Sequence, residues 1–242
     1  MRKMSGLIKY DLQQYGKKNK YVMPLVVLLI ALYGLYSVKP ADFIDCLSVS
    51  GMFIFLVMVW VGVTTCDQED MVSEQILILR VQSFGKYHLS HVLFQLVLSA
   101  AAGFLAIMVP VVQNFVNSKQ FFDRPIRASD ILGGFVLLFL CAFAGSALGE
   151  LSHPEIIKNR KTAVVFVLLL AILSLAKGAI TEGFPVMKLI FWILPPIWEL
   201  SCSLSGTEYF SVQKIVTSGG MLFLSGTFLT IIKMCLVKRQ HR

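Results

Sequence analysis

Charged residues are scarce in this 242-residue chain, in which Asp, Glu, Lys and Arg make up 15% and hydrophobic residues 56%. A water-soluble domain of this size cannot bury so much apolar surface, so the composition excludes an ordinary soluble globular protein. The net charge of +8 comes from short segments between apolar runs, without a basic stripe of interleaved aromatic residues. This distribution is typical of membrane topology signals and does not indicate nucleic-acid binding.

Cysteine is sparse and dispersed. The five cysteines form no CxxC pair, and no histidine stands at metal-ligand spacing from them, so we predict neither a metal site nor a redox pair. They are interpreted as small apolar packing residues. Cys46 and Cys202 would both lie near the outer face of the topology inferred below, which leaves a disulfide between them open.

Catalytic motifs are also missing. The sequence contains no HExxH, no GxSxG, no paired-glutamate motif opposite a histidine and no GxxxxGK[ST] phosphate loop. We therefore predict that the chain is not an enzyme and holds no cofactor. Ionisable residues deep inside the apolar runs are missing too, because Asp130, Glu150 and His91 stand at the ends of runs and are predicted to be interfacial. An internal ion relay is not expected.

Long apolar runs are what the chain has in quantity. Roughly 20 apolar residues in a helix cross the hydrocarbon core of a bilayer. Six runs meet this requirement, at 21–38, 46–66, 91–114, 131–149, 162–181 and 215–232. We predict an all-α membrane protein with six transmembrane helices in a single domain over 1–242. Lys177 is expected to extend from its run to the interface.

An amphipathic segment precedes the first run. Apolar residues recur there at helical spacing, namely Met4, Leu7, Ile8, Leu12 and Tyr15, and Asp11 is placed on the opposite, polar face. This pattern predicts an interfacial helix over 1–20 that anchors the topology or, as an alternative, takes part in gating. The apolar run begins too late and is too long for a cleavable signal peptide.

The positive charges orient the chain, because Lys and Arg are retained on the cytoplasmic side of a membrane. With six spans and both termini inside, 15 of the 22 Lys and Arg residues lie in cytoplasmic segments. A seventh crossing over 184–204 would remove this bias, and Pro195-Pro196 would bend its helix. We therefore predict an outer helical hairpin over 184–204.

The cytoplasmic segment 67–86 has the pattern of a short helix. Asp67 is a candidate N-cap, Val72, Ile76 and Leu79 share one face, and Gly85 is a candidate stop. Its acidic first turn would be repelled by an anionic leaflet. The pattern therefore favours a protein partner over the lipid surface.

Three features resemble the permease of an ABC-2-type transporter. The first is the order of an amphipathic helix, two spans and then residues 69–80, with the sequence EDMVSEQILILR. The second runs from the glycine-rich segment 145–149 to the NRKTA segment at 159–163, and the third is the hairpin around Pro195-Pro196. The family commonly has a proline and a lysine after the leucine pair, whereas this chain has Arg80 followed by His88 and His91.

The resemblance implies a half-transporter in the bacterial cell membrane, a multi-pass protein with both termini cytoplasmic. Two permease copies or homologues would pair through the first and fifth spans. A separate cytoplasmic ATPase subunit would bind ATP and Mg²⁺. The implied contacts to that subunit are a coupling helix, with Glu69, Asp70, Ser73, Glu74, Ile76, Leu77 and Arg80, and a second group formed by Pro154, Glu155, Lys158 and Arg160.

The function that follows is ATP-driven export of a hydrophobic or amphipathic cargo, a peptide or a drug. The uncharged interior suits such a cargo, and Phe53, Phe55, Met58 and Trp60 are the candidate path residues. Lipid contact or bundle packing would explain these four side chains equally well. The alternative function is a membrane scaffold or sensor subunit that does not transport.

Overall fold

The chain is helical throughout the residues that its computed structural model describes, which are 2–38, 41–67, 71–117, 121–184, 186–187, 191–205 and 210–240. Helix accounts for 82% of the structure and strands are absent from the described residues, which confirms the predicted all-α class. The helices are α1 (Arg2–Lys17), α2 (Val22–Leu35), α3 (Phe43–Thr65), α4 (Met71–Val81), α5 (Phe84–Val116), α6 (Ala128–Gly149), α7 (Arg160–Gly183), α8 (Ile197–Leu204) and α9 (Val212–Gln240). A short 3₁₀ turn, Glu150–Ser152, continues α6.

Five helices are long and apolar enough to cross a membrane: α3, α5, α6 with its 3₁₀ turn, α7 and α9. The first predicted span differs, because α2 has only 14 residues, or about 21 Å at the usual rise. It reaches a spanning length only together with α1, from which it is bent by 77°. Asn19, with a φ of 51°, lies at this bend.

The centre of the bundle is the pair α3 and α6, which are the most buried of the apolar helices. Small residues allow the two backbones to touch. A Cβ atom at Gly62 would lie against the carbonyl oxygen of Ser146, and one at Gly145 against that of Phe55, closer than such atoms approach in proteins. The glycines are therefore required by the spacing of the two helices.

The chain turns gather at two ends of the bundle. At one, the Asp67 end, Lys20 donates to the carbonyl oxygen of Asp67 and Arg160 pairs with the Asp67 carboxylate. At the other, the Phe122 end, Phe122 makes edge contacts with Tyr36 and Phe43. These turns between helices therefore lie at two opposite ends of the bundle.

The segment between α3 and α5 departs from its predicted boundaries. Gly85 does not end α4, because Gln82, with a φ of 57°, follows the helix and Ser83 caps α5. Gly85 is therefore the second residue of α5. Asp67, the candidate N-cap of α4, follows α3 and pairs with Arg160, and residues 68–70 between it and α4 lie outside the described residues.

Within 184–204, the described helix is α8, whose eight residues extend about 12 Å and cannot cross a bilayer. Pro195 and Pro196 precede it, and the Ser174 hydroxyl of α7 donates to the carbonyl oxygen of Pro195 over 2.6 Å. Lys177, which was expected to extend to the interface, pairs through its ammonium with Glu199 of α8 at 2.6 Å. All five cysteines, including Cys46 and Cys202, are free.

The buried face of the amphipathic helix α1 differs from the apolar face that the sequence predicts. Leu7, Asp11 and Tyr15 are buried, whereas Leu12 is exposed. Tyr15 contacts Phe94 of α5 edge-on. Positions 7, 11 and 15 are spaced four residues apart and so lie on one side of the helix. This buried side includes Asp11, which was predicted to be on the polar face.

Candidate functional site

A cleft of about 710 Å³ lies between α1 and α4 at the Asp67 end of the bundle. Gly6, Leu7 and Tyr10 line one wall, and the other wall is formed by Ser73, Ile76, Leu77, Arg80 and Val81 of α4. We call this feature the α1/α4 cleft. It is open enough to receive side chains from another molecule.

The helix α4 is unusually exposed for an apolar segment. None of its described side chains, at 73 and 75–81, is fully buried. Ile76 is 58% exposed and Leu79 is 75% exposed. Apolar side chains that stand out of a short helix beside a cleft are typical of a surface that binds a partner.

The predicted coupling-helix residues fall into two groups. The structure brings Ser73, Ile76, Leu77 and Arg80 together along the α1/α4 cleft. Glu69 and Asp70 lie outside the described residues, and so does the side chain of Glu74.

The second predicted contact group is partly used inside the chain. Glu155 is buried. Arg160 donates to the carbonyl oxygen of Val63 at 3.2 Å and pairs with Asp67, so it joins the start of α7 to the end of α3. Pro154 is half-buried and Lys158 is exposed. Lys158 is the most accessible of the four side chains.

The four candidate path residues do not share one surface. Phe55 and Met58 are buried in the core, whereas Phe53 and Trp60 are exposed. Residues two apart on a helix point in nearly opposite directions, so positions 53 and 55 cannot both face the same side. The structure therefore does not bring these four side chains together on one side of α3.

Charged side chains are buried at the Asp67 end, where α5, α6 and α9 meet. Glu150 is 0% exposed, and its Oε1 atom lies 3.1 Å from His91 Nε2 and 3.1 Å from Lys233 Nζ. Lys233 is itself buried. Glu150, predicted to be interfacial, lies at the end of α6, where the surrounding helices exclude solvent and Lys233 supplies a counter-charge.

We call Glu150, His91 and Lys233 the Glu150 cluster. The sequence carried a weak signal for it. Glu150 directly follows the small-residue segment 145–149, which brings α6 close to α3 and leaves no room for water. The helix α9 extends to Gln240, well past the apolar run that ends at 232, and so places Lys233 within the bundle. Neither partner of Glu150 is near it in the chain.

The opposite end of α6 holds a second buried carboxylate. Asp130 accepts from Arg124 Nη1 at 2.6 Å and from the backbone N–H of Arg127 at 3.0 Å. Both ends of the central helix are therefore fixed by a buried carboxylate with a cationic partner. Asp130 was also predicted to be interfacial, and the structure places it in the first turn of α6 with its side chain buried.

His153 lies beside the Glu150 cluster, after the 3₁₀ turn. Its Nδ1 atom accepts from the backbone N–H of Glu155 at 3.3 Å, which requires that nitrogen to be unprotonated. Burial, and after it the nearby charge of Lys233, lowers the pKa of His153 from 6.5 to about 3. The neutral imidazole is therefore the form that fits the fold.

Acidification is expected to destabilise the protein through His153. In the unfolded chain the imidazole binds a proton near pH 6.5, but in the folded chain only near pH 3, so stability falls as pH drops through this window. Thermal unfolding in detergent at pH 7.5 and 5.5 measures the loss. His153→Asn keeps an acceptor near the Nδ1 position and cannot be protonated, so its midpoint should depend less on pH. An equal pH dependence in both proteins would contradict this assignment.

The fold defines a multi-helix protein with five helices able to cross a membrane, or six if α1 and α2 form one bent span. The polar features of its described residues concentrate at the helix ends. Comparison of the chain with protein-family models, with curated proteins and with solved structures gives no match.

Proposed function

We propose that this chain is the permease subunit of an ATP-driven ABC exporter, with a separate ATPase subunit that binds ATP and Mg²⁺. The observation that supports the proposal most strongly is the α1/α4 cleft, where exposed apolar side chains of a short helix stand at one end of the bundle. The sequence has no GxxxxGK[ST] phosphate loop, so under this proposal the separate subunit supplies the energy for transport. The cleft is a suitable contact for such a subunit.

The proposed orientation places the Asp67 end in the cytoplasm and both termini on that side of the bacterial cell membrane. The distribution of Lys and Arg supports this orientation, because most of them lie in the segments of the Asp67 end. Under it, α8 lies at the outer face. The hairpin over 184–204 stays part of the proposal.

A second permease copy or homologue is the proposed membrane partner, with α2 and α7 at the interface. Both helices have an exposed apolar face, which includes Ile30 and Tyr33 in α2 and Val165 and Ile172 in α7. Lipid or a second subunit can cover such faces. A transporter that moves its cargo between two subunits requires the latter.

The proposed cargo is hydrophobic or amphipathic, such as a peptide or a drug. The low charge of the membrane-crossing windows supports this class, since none of them contains more than two charged residues. A path lined by Phe53, Phe55, Met58 and Trp60 together is not proposed.

The test is to disrupt the exposed apolar side chains of α4, of which Ile76 lines the α1/α4 cleft and Leu79 does not. Replacing Ile76 and Leu79 with aspartate leaves the core intact, because both side chains are exposed. The double variant should lose at least tenfold in affinity for the ATPase subunit, since two apolar contacts at the centre of an interface contribute more than about 1.4 kcal/mol. Co-purification from detergent and ATP-dependent export in vesicles measure binding and transport, and the mass of the complex gives the number of permease copies.

Leu236→Asp is a matched control. Leu236 is exposed near the end of α9 and does not line the cleft, so this variant should retain the ATPase subunit. Full export by the double variant would contradict the role of α4. A partner that binds at the cleft without any ATP-dependent transport would favour the scaffold function instead.

A further inference from the structure

A pocket of about 400 Å³ lies between α7, the turn before α8, and α9. We call it the α7/α9 pocket. Its wall is largely apolar and includes Trp192, Ile193, Met221, Leu224 and Phe228. Its charged corner consists of Lys177 and Glu199. The combination of an apolar wall and one cation–anion pair distinguishes it from the α1/α4 cleft.

The charged corner is held in place by α7 and α8 together. Lys177 Nζ lies 2.6 Å from Glu199 Oε1. One residue further along α7, a Cβ atom at Gly178 would overlap the indole ring of Trp198, so α8 is packed directly on the helix backbone. The hydrogen bond from Ser174 to the Pro195 carbonyl oxygen fixes the turn before α8. The ion pair therefore belongs to a built surface.

The ion pair retains binding capacity on both sides. An ammonium group has three donors and a carboxylate about four acceptor positions, of which the contact between them uses one each. The Lys177 side chain is 10% exposed and that of Glu199 is 44% exposed. A ligand with a single charge would meet a like charge at this corner, whereas a ligand with both charges can pair with each residue.

The apolar wall indicates where the rest of the ligand lies. Trp192 is 78% exposed and Leu224 is 67% exposed at the pocket. Large apolar side chains on the open side of a pocket favour hydrocarbon over water. Under the proposed orientation, Lys177 lies in the outer half of α7, about 9 Å along the helix from its outer end at Gly183.

We propose that the α7/α9 pocket binds the headgroup of a zwitterionic phospholipid that carries a primary ammonium. The phosphate pairs with Lys177, the ammonium donates to Glu199, and the upper acyl chains pack on Trp192 and Phe228. This inference goes beyond the proposed export function. It requires only that α7 and α9 cross a bilayer.

Native mass spectrometry of the purified protein tests the inference. The protein is mixed in detergent with equal amounts of phosphatidylethanolamine and phosphatidylglycerol, and the lipids that stay bound are counted. We expect the wild-type protein to retain phosphatidylethanolamine about tenfold over phosphatidylglycerol, as charge-assisted hydrogen bonds to both residues would give. The Lys177→Met/Glu199→Gln variant should retain the two lipids equally.

A matched control replaces one lysine and one glutamate outside the pocket. Lys214 and Glu182 do not line it, so Lys214→Met/Glu182→Gln should keep the wild-type preference. Leu224→Trp provides a variant that keeps the ion pair and fills the pocket from its exposed side. It should lower retention of phosphatidylethanolamine about tenfold.

Three results would overturn the inference. They are equal retention of both lipids by the wild-type protein, a preference that survives in Lys177→Met/Glu199→Gln, and unchanged retention in Leu224→Trp. Equal retention of phosphatidylcholine, whose ammonium has no N–H, would also overturn the contact with Glu199. Binding of the ATPase subunit is measured separately, so a failure here is distinguishable from a failure of the export proposal.

Discussion

Lys233→Met is expected to destabilise the folded protein by about 3–5 kcal/mol, the usual cost of removing one partner from a buried ion pair. Methionine fills much of the volume of the lysine stem, so packing changes little. The Glu150 carboxylate, which is 0% exposed, would lose the cation 3.1 Å from its Oε1 atom and keep His91. Thermal or denaturant unfolding in detergent measures the loss.

Two further variants separate the buried charge from general damage to α9. Lys238→Met changes an exposed lysine on the same helix and should alter stability by less than about 0.5 kcal/mol. The double variant Glu150→Gln/Lys233→Met removes both charges, so its loss should be smaller than the sum of the single losses. Equal effects of Lys233→Met and Lys238→Met would show that the Glu150 cluster does not hold the helices together.

Gly149→Val is expected to destabilise the protein by about 3 kcal/mol or more, because it inserts atoms between two helix backbones that touch. A Cβ atom at Gly149 would lie 2.8 Å from the Cα atom of Gly62 and 2.9 Å from the backbone nitrogen of Val63. Backbone atoms cannot turn away as a flexible side chain does. The central helices α3 and α6 would have to separate, which unfolding midpoints and yields of folded protein would both report.

Gly220→Ala is the matched control for this substitution. Gly220 lies within α9 and has open space where the Cβ atom would be. Alanine there should leave the free energy of unfolding unchanged or raise it by up to about 1 kcal/mol, because alanine has a higher helix propensity than glycine. If Gly149→Val and Gly220→Ala had equal effects, the close approach of α3 and α6 would not be needed for stability.

The helical class was predictable because it depends on local composition. Long apolar runs with few charges, such as those within α3, α6 and α7, have a single low-energy conformation in a bilayer, in which the backbone pairs within the helix. The first run was a partial exception. α2 has 14 residues, and α1 before it is held by contacts with α5 such as that of Tyr15 with Phe94, which local pattern does not encode.

The site was less predictable, because its residues come from distant parts of the chain. Sequence pattern placed Ser73, Ile76 and Arg80 on one short helix, and the structure adds Gly6 and Tyr10 as the opposite wall of the cleft. Arg160 was expected at the surface as a partner contact. The structure adds that it pairs with Asp67 while its side chain stays 39% exposed, since the end of α3 and the start of α7 meet.

By itself, the sequence determined that this protein is helical and apolar enough to cross a membrane several times. It also showed that the apolar runs contain few charges. Helicity, apolarity and charge content could be read from the sequence because they are properties of consecutive residues. Only the tertiary structure decided where the few remaining charges lie. Glu150 meets His91 and Lys233, and Lys177 meets Glu199, because helix packing brings together residues from different elements. A buried charge persists only beside its counter-charge, and that proximity is set by the packing of the whole bundle.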